Sequence, residues 1–507
     1  MPVAVSAGGA DKANGHKPVV HAGEKSDTPV VPEKRPNKGS GPAEDVEERG
    51  VAKGNANEPP ASRTQSRSDA SMGLEGVRQK ARADKRARFT SLMHHVTPFL
   101  LVESFYALRK DAASGVDEVT WREYEHRLCV RVHSLHREIH TGAYKALPSR
   151  RVYISKADGS KRPLGIAAIE DKIVQQAVST VLSAIYEEDF LGFSYGFRPG
   201  RSQHQALDAL WVGIEKRKVG WIVDADISDF FGSIDHDWMD RFLAHRIADK
   251  RMLRLIRKWL TAGAIEDGKR VAAEKGAPQG AVISPLLSNI YLHYVLDTWA
   301  HHWRKHHALG NVILIRYADD SVMGFQHEFD AKKFLAAMRE RLGRFGLALH
   351  PKKTRLIEFG RHAVYRRHRR GLGHPETFDF LGFTHCCGKT RKGLFKIVRL
   401  TIRKRMNAKL KAIRDAIRKR MHEPVKVVGK WLGRIVQGYF NYHAVPDNLT
   451  RLNAFRTEVG RIWLKALRRR SQRHKMPWSR FKYLVNRYLP PARQQHPYPS
   501  KRFGVTT

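Results

Sequence analysis

The chain has 507 residues, enough for two or three domains, and carries 92 Lys and Arg against 50 Asp and Glu, a formal net charge of +42. So large an excess strains a compact fold by self-repulsion, which makes a polyanion, and nucleic acid above all, the natural partner. No run approaches the ~20 apolar residues of a membrane-spanning helix, and three cysteines, Cys129, Cys386 and Cys387, cannot build a disulfide framework and suit a reducing cytosol.

Residues 1–70 are rich in Gly, Pro, Ser, Lys and Glu and nearly free of aromatics. They cannot bury enough surface to offset the entropy of ordering, so a disordered tail is expected. The opening Met1-Pro2-Val3-Ala4-Val5 lacks the basic-then-apolar order of a secretory signal. Over 71–139, Leu92, Val96, Phe99, Leu100, Phe105 and Leu108 recur at helical spacing until Ser114-Gly115 breaks the pattern. From 140 to 385 short apolar strands alternate with helices. Arg151-Val152-Tyr153-Ile154 reads as a strand and Asp158-Gly159 as a hairpin turn. Asp171 to Tyr186 reads as a helix, with Ile173, Val174, Ala177, Val178, Val181 and Leu182 apolar.

Acids then appear inside apolar runs. Trp221-Ile222-Val223-Asp224-Ala225-Asp226-Ile227 is one such run, and an unpaired Asp in a buried strand is costly. Val312-Ile313-Leu314-Ile315 and Val322-Met323-Gly324-Phe325 read as two strands whose tight turn carries Tyr317-Ala318-Asp319-Asp320. Taken alone, that turn fits an ordinary surface turn as well, because Asp is a common turn residue. Adjacent carboxylates repel, however, and become useful where divalent cations sit. Mg²⁺ takes oxygen ligands, commonly one or two carboxylates with substrate phosphates. Asp226 facing Asp319 and Asp320 would make a three-acid metal site.

Over 400–421, Ile402, Met406, Leu410, Ile413, Ile417 and Met421 step by three or four, and Lys and Arg fill the other faces, leaving a basic surface for phosphates. A second helix is expected through Val428 to Tyr439 and a third through Leu452, Phe455, Val459, Ile462 and Trp463. Trp478, Phe481 and Tyr483 lie among basic residues, a pattern that serves base stacking or core packing equally. His385-Cys386-Cys387 is not expected to bind zinc, because adjacent residues ligate one ion poorly and no second pair follows at finger spacing.

An ordered series of blocks resembles the group II intron reverse transcriptases and maturases over most of residues 72–450. They are Ala113-Ser114-Gly115-Val116-Asp117, Lys156 through Ile166, Ser194 through Ser202, the Asp226 strand, Gly276 through Gly280 with Ser284-Pro285-Leu286-Leu287, Tyr317 to Asp320, Leu349 through Thr354, and Phe380-Leu381-Gly382-Phe383. The resemblance implies an α+β fold shaped as a polymerase right hand. A template-contacting helical extension would occupy 71–139, fingers and palm with an antiparallel sheet 140–385, a helical thumb or maturase domain 386–450, and a basic nucleic-acid-binding segment 451–507.

It also implies the chemistry: RNA-directed DNA synthesis by nucleotidyl transfer on two Mg²⁺ ions, for which Mn²⁺ can substitute. Asp226, Asp319 and Asp320 would be catalytic metal ligands, with the Ile227 carbonyl adding an oxygen and Asp224 at most supporting. Lys353 matches a lysine that protonates pyrophosphate, a role that needs a tuned pKa. Arg150, Lys156 and Arg162 lie on the block that covers the incoming nucleotide; taken singly, each reads as a solvated surface charge. Gln279 resembles the residue lying against that nucleotide. Phe231 matches an aromatic that blocks a ribose 2′-hydroxyl, and on its own reads as a core side chain.

The implied partners are intron RNA, target DNA, the RNA–DNA duplex and deoxynucleoside triphosphates, in a bacterial cytoplasm or nucleoid, with no membrane and no zinc. No His-Asn-His nuclease pattern closes the sequence, so second-strand cutting in cis is not expected. The function implied is splicing assistance and retrohoming of a mobile intron. Two alternatives stand beside it: a maturase that binds RNA without using polymerase activity, and a reverse transcriptase domesticated for defence or repair. The intact acids argue against the first, and the basic helices against the second.

Overall fold

The computed structural model describes residues 73–155, 161–470 and 476–502. The expected tail over 1–70, Lys156 and the Asp158-Gly159 turn lie outside the described residues.

The helical spacing that starts at Leu92 does not give one helix. A short 3₁₀ turn at Met93–His95 precedes helix α1 (Pro98–Tyr106). Thr97 starts α1 by accepting the Leu100 N–H on its hydroxyl, and Pro98 fills the first helical position, where a missing N–H costs nothing. Leu92 and Val96 are still buried, so the spacing tracked burial rather than helix continuity. Helix α2 (Leu128–Thr141) packs on α1.

Strands β1 (Ser149–Ser155) and β2 (Lys161–Ile166) pair antiparallel, Arg150 opposite Ile166 and Ser155 opposite Lys161. Helix α3 (Ile169–Asp189) buries all six apolar residues expected of it. After α4 (Gln203–Lys216), started by a Ser202–Gln205 capping box, come β3 (Trp221–Ala225), α5 (His236–Ala244) and α6 (Lys250–Thr261). Short strands β4 (Ala264–Glu266) and β5 (Lys269–Val271) extend the first hairpin into a sheet ordered β2-β1-β4-β5.

Helices α7 (Ser284–Leu292) and α8 (Thr298–His306) lead to β6 (Val312–Tyr317), β7 (Asp320–Phe325), α9 (Glu328–Gly343) and β8 (Arg355–Glu358). These strands close on β3 in the order β6-β7-β3-β8, every neighbour antiparallel. Val312, Leu314, Met323 and Phe325 face one apolar core, and Ile313, Ile315 and Val322 face another. With both faces covered, the strands read as continuous apolar runs instead of alternating ones.

A third antiparallel sheet joins β9 (Phe378–Phe380), β10 (Phe383–Lys389) and β11 (Phe395–Thr401). Helices α10 (Arg403–Lys419), α11 (Val425–His443), α12 (Leu449–Arg468) and α13 (Trp478–Tyr488) follow, with one short helical turn at Pro499–Arg502 after them. Met406, Leu410, Ile413 and Ile417 enter their shared core with Leu432, Phe455 and Trp463, while the Lys and Arg of α10 stay outside. The C-terminal aromatics divide: Phe481 is buried, Trp478 and Tyr483 are exposed. The whole is a mixed α and β fold, and no described helix is long and apolar enough to cross a membrane.

Candidate active site

The turn between β6 and β7 is two residues long, Ala318 and Asp319, because Tyr317 pairs with Asp320 across the hairpin. Ala318 takes a left-handed backbone at φ 56°, a position where such turns favour Gly. A side chain there costs on the order of 1 kcal/mol and persists only when surroundings impose it.

The imposing group is Arg316, one strand residue before Tyr317 and fully buried. Its Nη1 donates to the Ala318 carbonyl at 2.9 Å and to Asn289 Oδ1 at 3.0 Å. Its Nε and Nη2 meet the two oxygens of Asp297 at 2.7 and 2.6 Å, and Nη2 also donates to Ser194 Oγ at 2.7 Å. Asp297 is itself wholly buried. Such a bidentate fork fixes both ends of the guanidinium, and with it the carbonyl that shapes the turn. Sequence reasoning missed Arg316, Asp297, Asn289 and Ser194. A signal was available: Arg316 is a charge inside an apolar run, and a buried charge must be paired.

Asp226 arrives from β3. Ala225 pairs with Ser321, so the next residue along β3 runs beside the start of β7, where Asp320 sits. The Leu349–Thr354 loop closes over this end. Ile227, buried, bridges to Leu349; Ser228 N–H donates to Ala348 O and His350 N–H to Asp226 O, both at 2.8 Å. The same loop brings Lys353 Nζ to 2.7 Å from Asp226 Oδ2, an ion pair without hydrogen-bond alignment.

Burial pushes the Asp319 carboxyl above the usual carboxylate range, with the Asp226 charge adding to it and Arg162 drawing it back. The surrounding protein pushes Asp320 up to about 7, and Asp319 and Asp226 add repulsion against an opposing Arg405, although Asp320 still opens to solvent. Burial likewise takes Asp224 to about 6 against the pull of Arg355, whose Nη2 lies 3.5 Å away. Among the described residues no group of three or more His, Cys, Asp or Glu side chains is arranged so that it could hold a metal ion. The donor set nonetheless suits a hard divalent cation that keeps positions for phosphate oxygens. Asp319 and Asp320 are carboxylates held above their usual range, and Asp226, at the same end of the sheet, already carries a cation, the Lys353 ammonium.

The expected nucleotide-facing residues are distributed around this point. Arg162, exposed on β2, is close enough for its charge to act on Asp319. Gln279 is pinned to β2, its carbonyl accepting the Gly165 N–H at 2.7 Å, while its buried Oε1 has no hydrogen-bond partner. Gly280 makes that approach feasible: at φ +100°, an added Cβ would lie 2.8 Å from the Gly165 carbonyl oxygen. Phe231, half-buried, adjoins the same loop through its carbonyl, which accepts the Ala277 N–H at 2.8 Å. Arg150 donates from Nη2 to the Ser114 carbonyl at 2.8 Å.

Phe231 supports a direct test. As a gate against ribose, Phe231→Val should raise ribonucleotide incorporation relative to deoxynucleotide, with the deoxynucleotide rate falling less than the ratio. A core role would cost the fold ~3–5 kcal/mol for Phe231→Ala and depress both activities together. The ratio of incorporation efficiencies on folded variant separates the two, and an unchanged ratio would return Phe231 to the core.

Residues 154–385 match the family model described as reverse transcriptase (RNA-dependent DNA polymerase). The chain is 42% identical over 181 residues to protein YkfC of Escherichia coli, covering 35% of this chain and 48% of that one. It is 33% identical over 228 residues to the group II intron-encoded protein LtrA of Lactococcus lactis, covering 43% of this chain and 37% of the relative. Nuclear intron maturase 2 of Arabidopsis thaliana is 27% identical over 138 residues, 26% of this chain and 18% of that protein. The chain thus spans less than half the length of these relatives, and its central part carries a reverse transcriptase domain similar to those of group II intron-encoded proteins and maturases.

Proposed function

We propose that this chain, a relative of the group II intron-encoded reverse transcriptases and maturases, is an RNA-directed DNA polymerase that binds intron RNA, assists its splicing and copies it into DNA during retrohoming. The observation that supports the proposal is the placement of Asp226, Asp319 and Asp320 at the same end of the β6-β7-β3-β8 sheet, inside the residues that match the reverse transcriptase family. In this reading 140–385 supply fingers and palm, 71–139 a template-contacting extension, 386–450 the thumb, and 451–507 a basic nucleic-acid surface.

Asp226, Asp319 and Asp320, with the Ile227 carbonyl, would hold two Mg²⁺ ions or Mn²⁺ in their place; when bound, these supply charge neutralisation and activation of a primer 3′-hydroxyl. The protein's own part is positioning. The Arg316 fork keeps the Asp319 turn in place, Arg162 offers a cation to the triphosphate, and Gln279, fixed to β2 through its backbone carbonyl, lies against the nucleotide. Phe231 limits room at the sugar. Lys353, once released from Asp226, has Nζ available to pass a proton to departing pyrophosphate.

The test is primer extension by the full chain on a primed RNA template with deoxynucleoside triphosphates and Mg²⁺. DNA synthesis that ends with EDTA is the expected result, and its absence would overturn the polymerase reading. RNA binding should be separable. The exposed cations of α10 and the following helices predict affinity for structured intron RNA that falls steeply with salt, as phosphate contacts release counterions. Asp319→Ala should leave that binding and splicing assistance in place. Affinity that stays flat from low to moderate salt would remove the charge argument.

A further inference from the structure

Phe197 combines two features that cost a protein stability. Its backbone sits at φ 59°, in the left-handed region where a bulky side chain is an outlier. Its ring is 53% exposed, so the strain is not recovered by burial. Strain of this kind marks positions where the surroundings impose a conformation that function uses.

The surroundings here are over-determined on both sides. Before Phe197, Gly196 lies so close to the catalytic turn that an added Cβ would stand 2.2 Å from the Ala318 nitrogen. Its carbonyl accepts from Asn289 Nδ2 at 2.7 Å, and Tyr195 N–H donates to Arg316 O at 2.9 Å. After Phe197, Arg198 is buried, with Nε 2.9 Å from Glu187 Oε2 and Nη1 donating to the Leu191 and Ser194 carbonyls at 2.9 Å. The Phe193–Arg198 segment is therefore stitched to the same Arg316 assembly that shapes the Asp319 turn. Phe197 is the residue it leaves in solvent, with its ring centroid 6.5 Å from that of Tyr317.

We propose that Phe197 is a stacking platform for a nucleotide, its ring meeting the flat face of a base or sugar at the reacting end of the nucleic acid held beside Asp319. The proposal rests on the polymerase reading above and adds a binding residue to it. An aromatic ring serves any sequence, because every base has a π-face. Adjacent polar anchors fix the backbone on both sides of the ring relative to the Asp319 turn, which is what registering a strand end requires.

The test uses the full chain with poly(rA) primed by oligo(dT), and four variants: Phe197→Ala, Phe197→Gly, Phe197→Tyr and Phe197→Trp. Three quantities are read: the Kd for primed template without nucleotide, the KM for dTTP, and the melting temperature. Loss of one stacking contact should weaken Phe197→Ala and Phe197→Gly by roughly 10- to 100-fold, with Tyr and Trp restoring the parental value. The loss falls on Kd if the platform holds the primer end and on KM if it holds the incoming nucleotide; either outcome supports it. Phe197→Gly relieves the left-handed backbone, so its melting temperature should be no lower than the parent's even as binding weakens. Parental Kd and KM in both small variants would overturn the proposal, as would losses that track a falling melting temperature. If the parent bound primed template without extending it, the polymerase reading would fail, and the Kd series would still decide the role of Phe197.

Discussion

Asp319→Ala and Asp226→Ala should each remove Mg²⁺-dependent DNA synthesis on a primed RNA template while leaving a folded, RNA-binding protein. The two carboxylates come to the same end of the sheet from different strands, and the Asp226 charge acts on Asp319. Removing one oxygen ligand from a catalytic cation site should cost several orders of magnitude in rate. A thousandfold loss corresponds to ~4 kcal/mol of barrier. Asp224→Asn provides the contrast. Its carboxylate is engaged by Arg355 on the neighbouring strand, so its loss should cost far less than that of Asp226. Single-turnover primer extension with purified variants reads the difference. Near-parental extension by Asp319→Ala or Asp226→Ala would remove these residues from the chemistry, and equal losses at Asp224 and Asp226 would dissolve the distinction between them.

The second large effect belongs to Arg316, which touches no substrate in this scheme. Arg316→Ala strands Asp297, a side chain with no access to water, and strips the Ala318 carbonyl and Ser194 hydroxyl of their donor. Breaking a buried pair by removing one partner costs about 3–5 kcal/mol, so a large fall in melting temperature is expected. Replacing both partners with apolar residues of similar volume should be milder for stability, because no charge is left unpaired. Arg316→Met combined with Asp297→Leu should therefore recover much of the melting temperature. It should not recover DNA synthesis, because the turn carrying Asp319 would still lack the bond to Ala318 O. A double variant as active as the parent would show that the fork stabilises the fold without positioning the acids.

The sequence by itself determined the elements and the chemical type of this protein. Apolar runs at Trp221–Ile227, Val312–Ile315 and Val322–Phe325 became paired strands, and the stripe from Met406 to Ile417 became the buried face of a helix. Periodicity works there because burial of an apolar face is a local property of the chain. Asp319 and Asp320 could be read as one unit for the same reason: they share a hairpin whose strands are adjacent in sequence. Periodicity failed where a local rule overrode it, at Thr97-Pro98, where an N-cap and a proline begin a new helix inside an unbroken apolar pattern. Only the tertiary structure decided the rest. Asp226 stands 93 residues before Asp319 in the chain, and pairing between β3 and β7 brings them to the same end of the sheet. The Lys353–Asp226 contact, the Arg150–Ser114 hydrogen bond, the Arg316 fork and the exposed ring of Phe197 each depend on partners from distant segments. A charge or a strained backbone is tolerated only by what surrounds it, and those surroundings are assembled by folding rather than written in neighbouring residues.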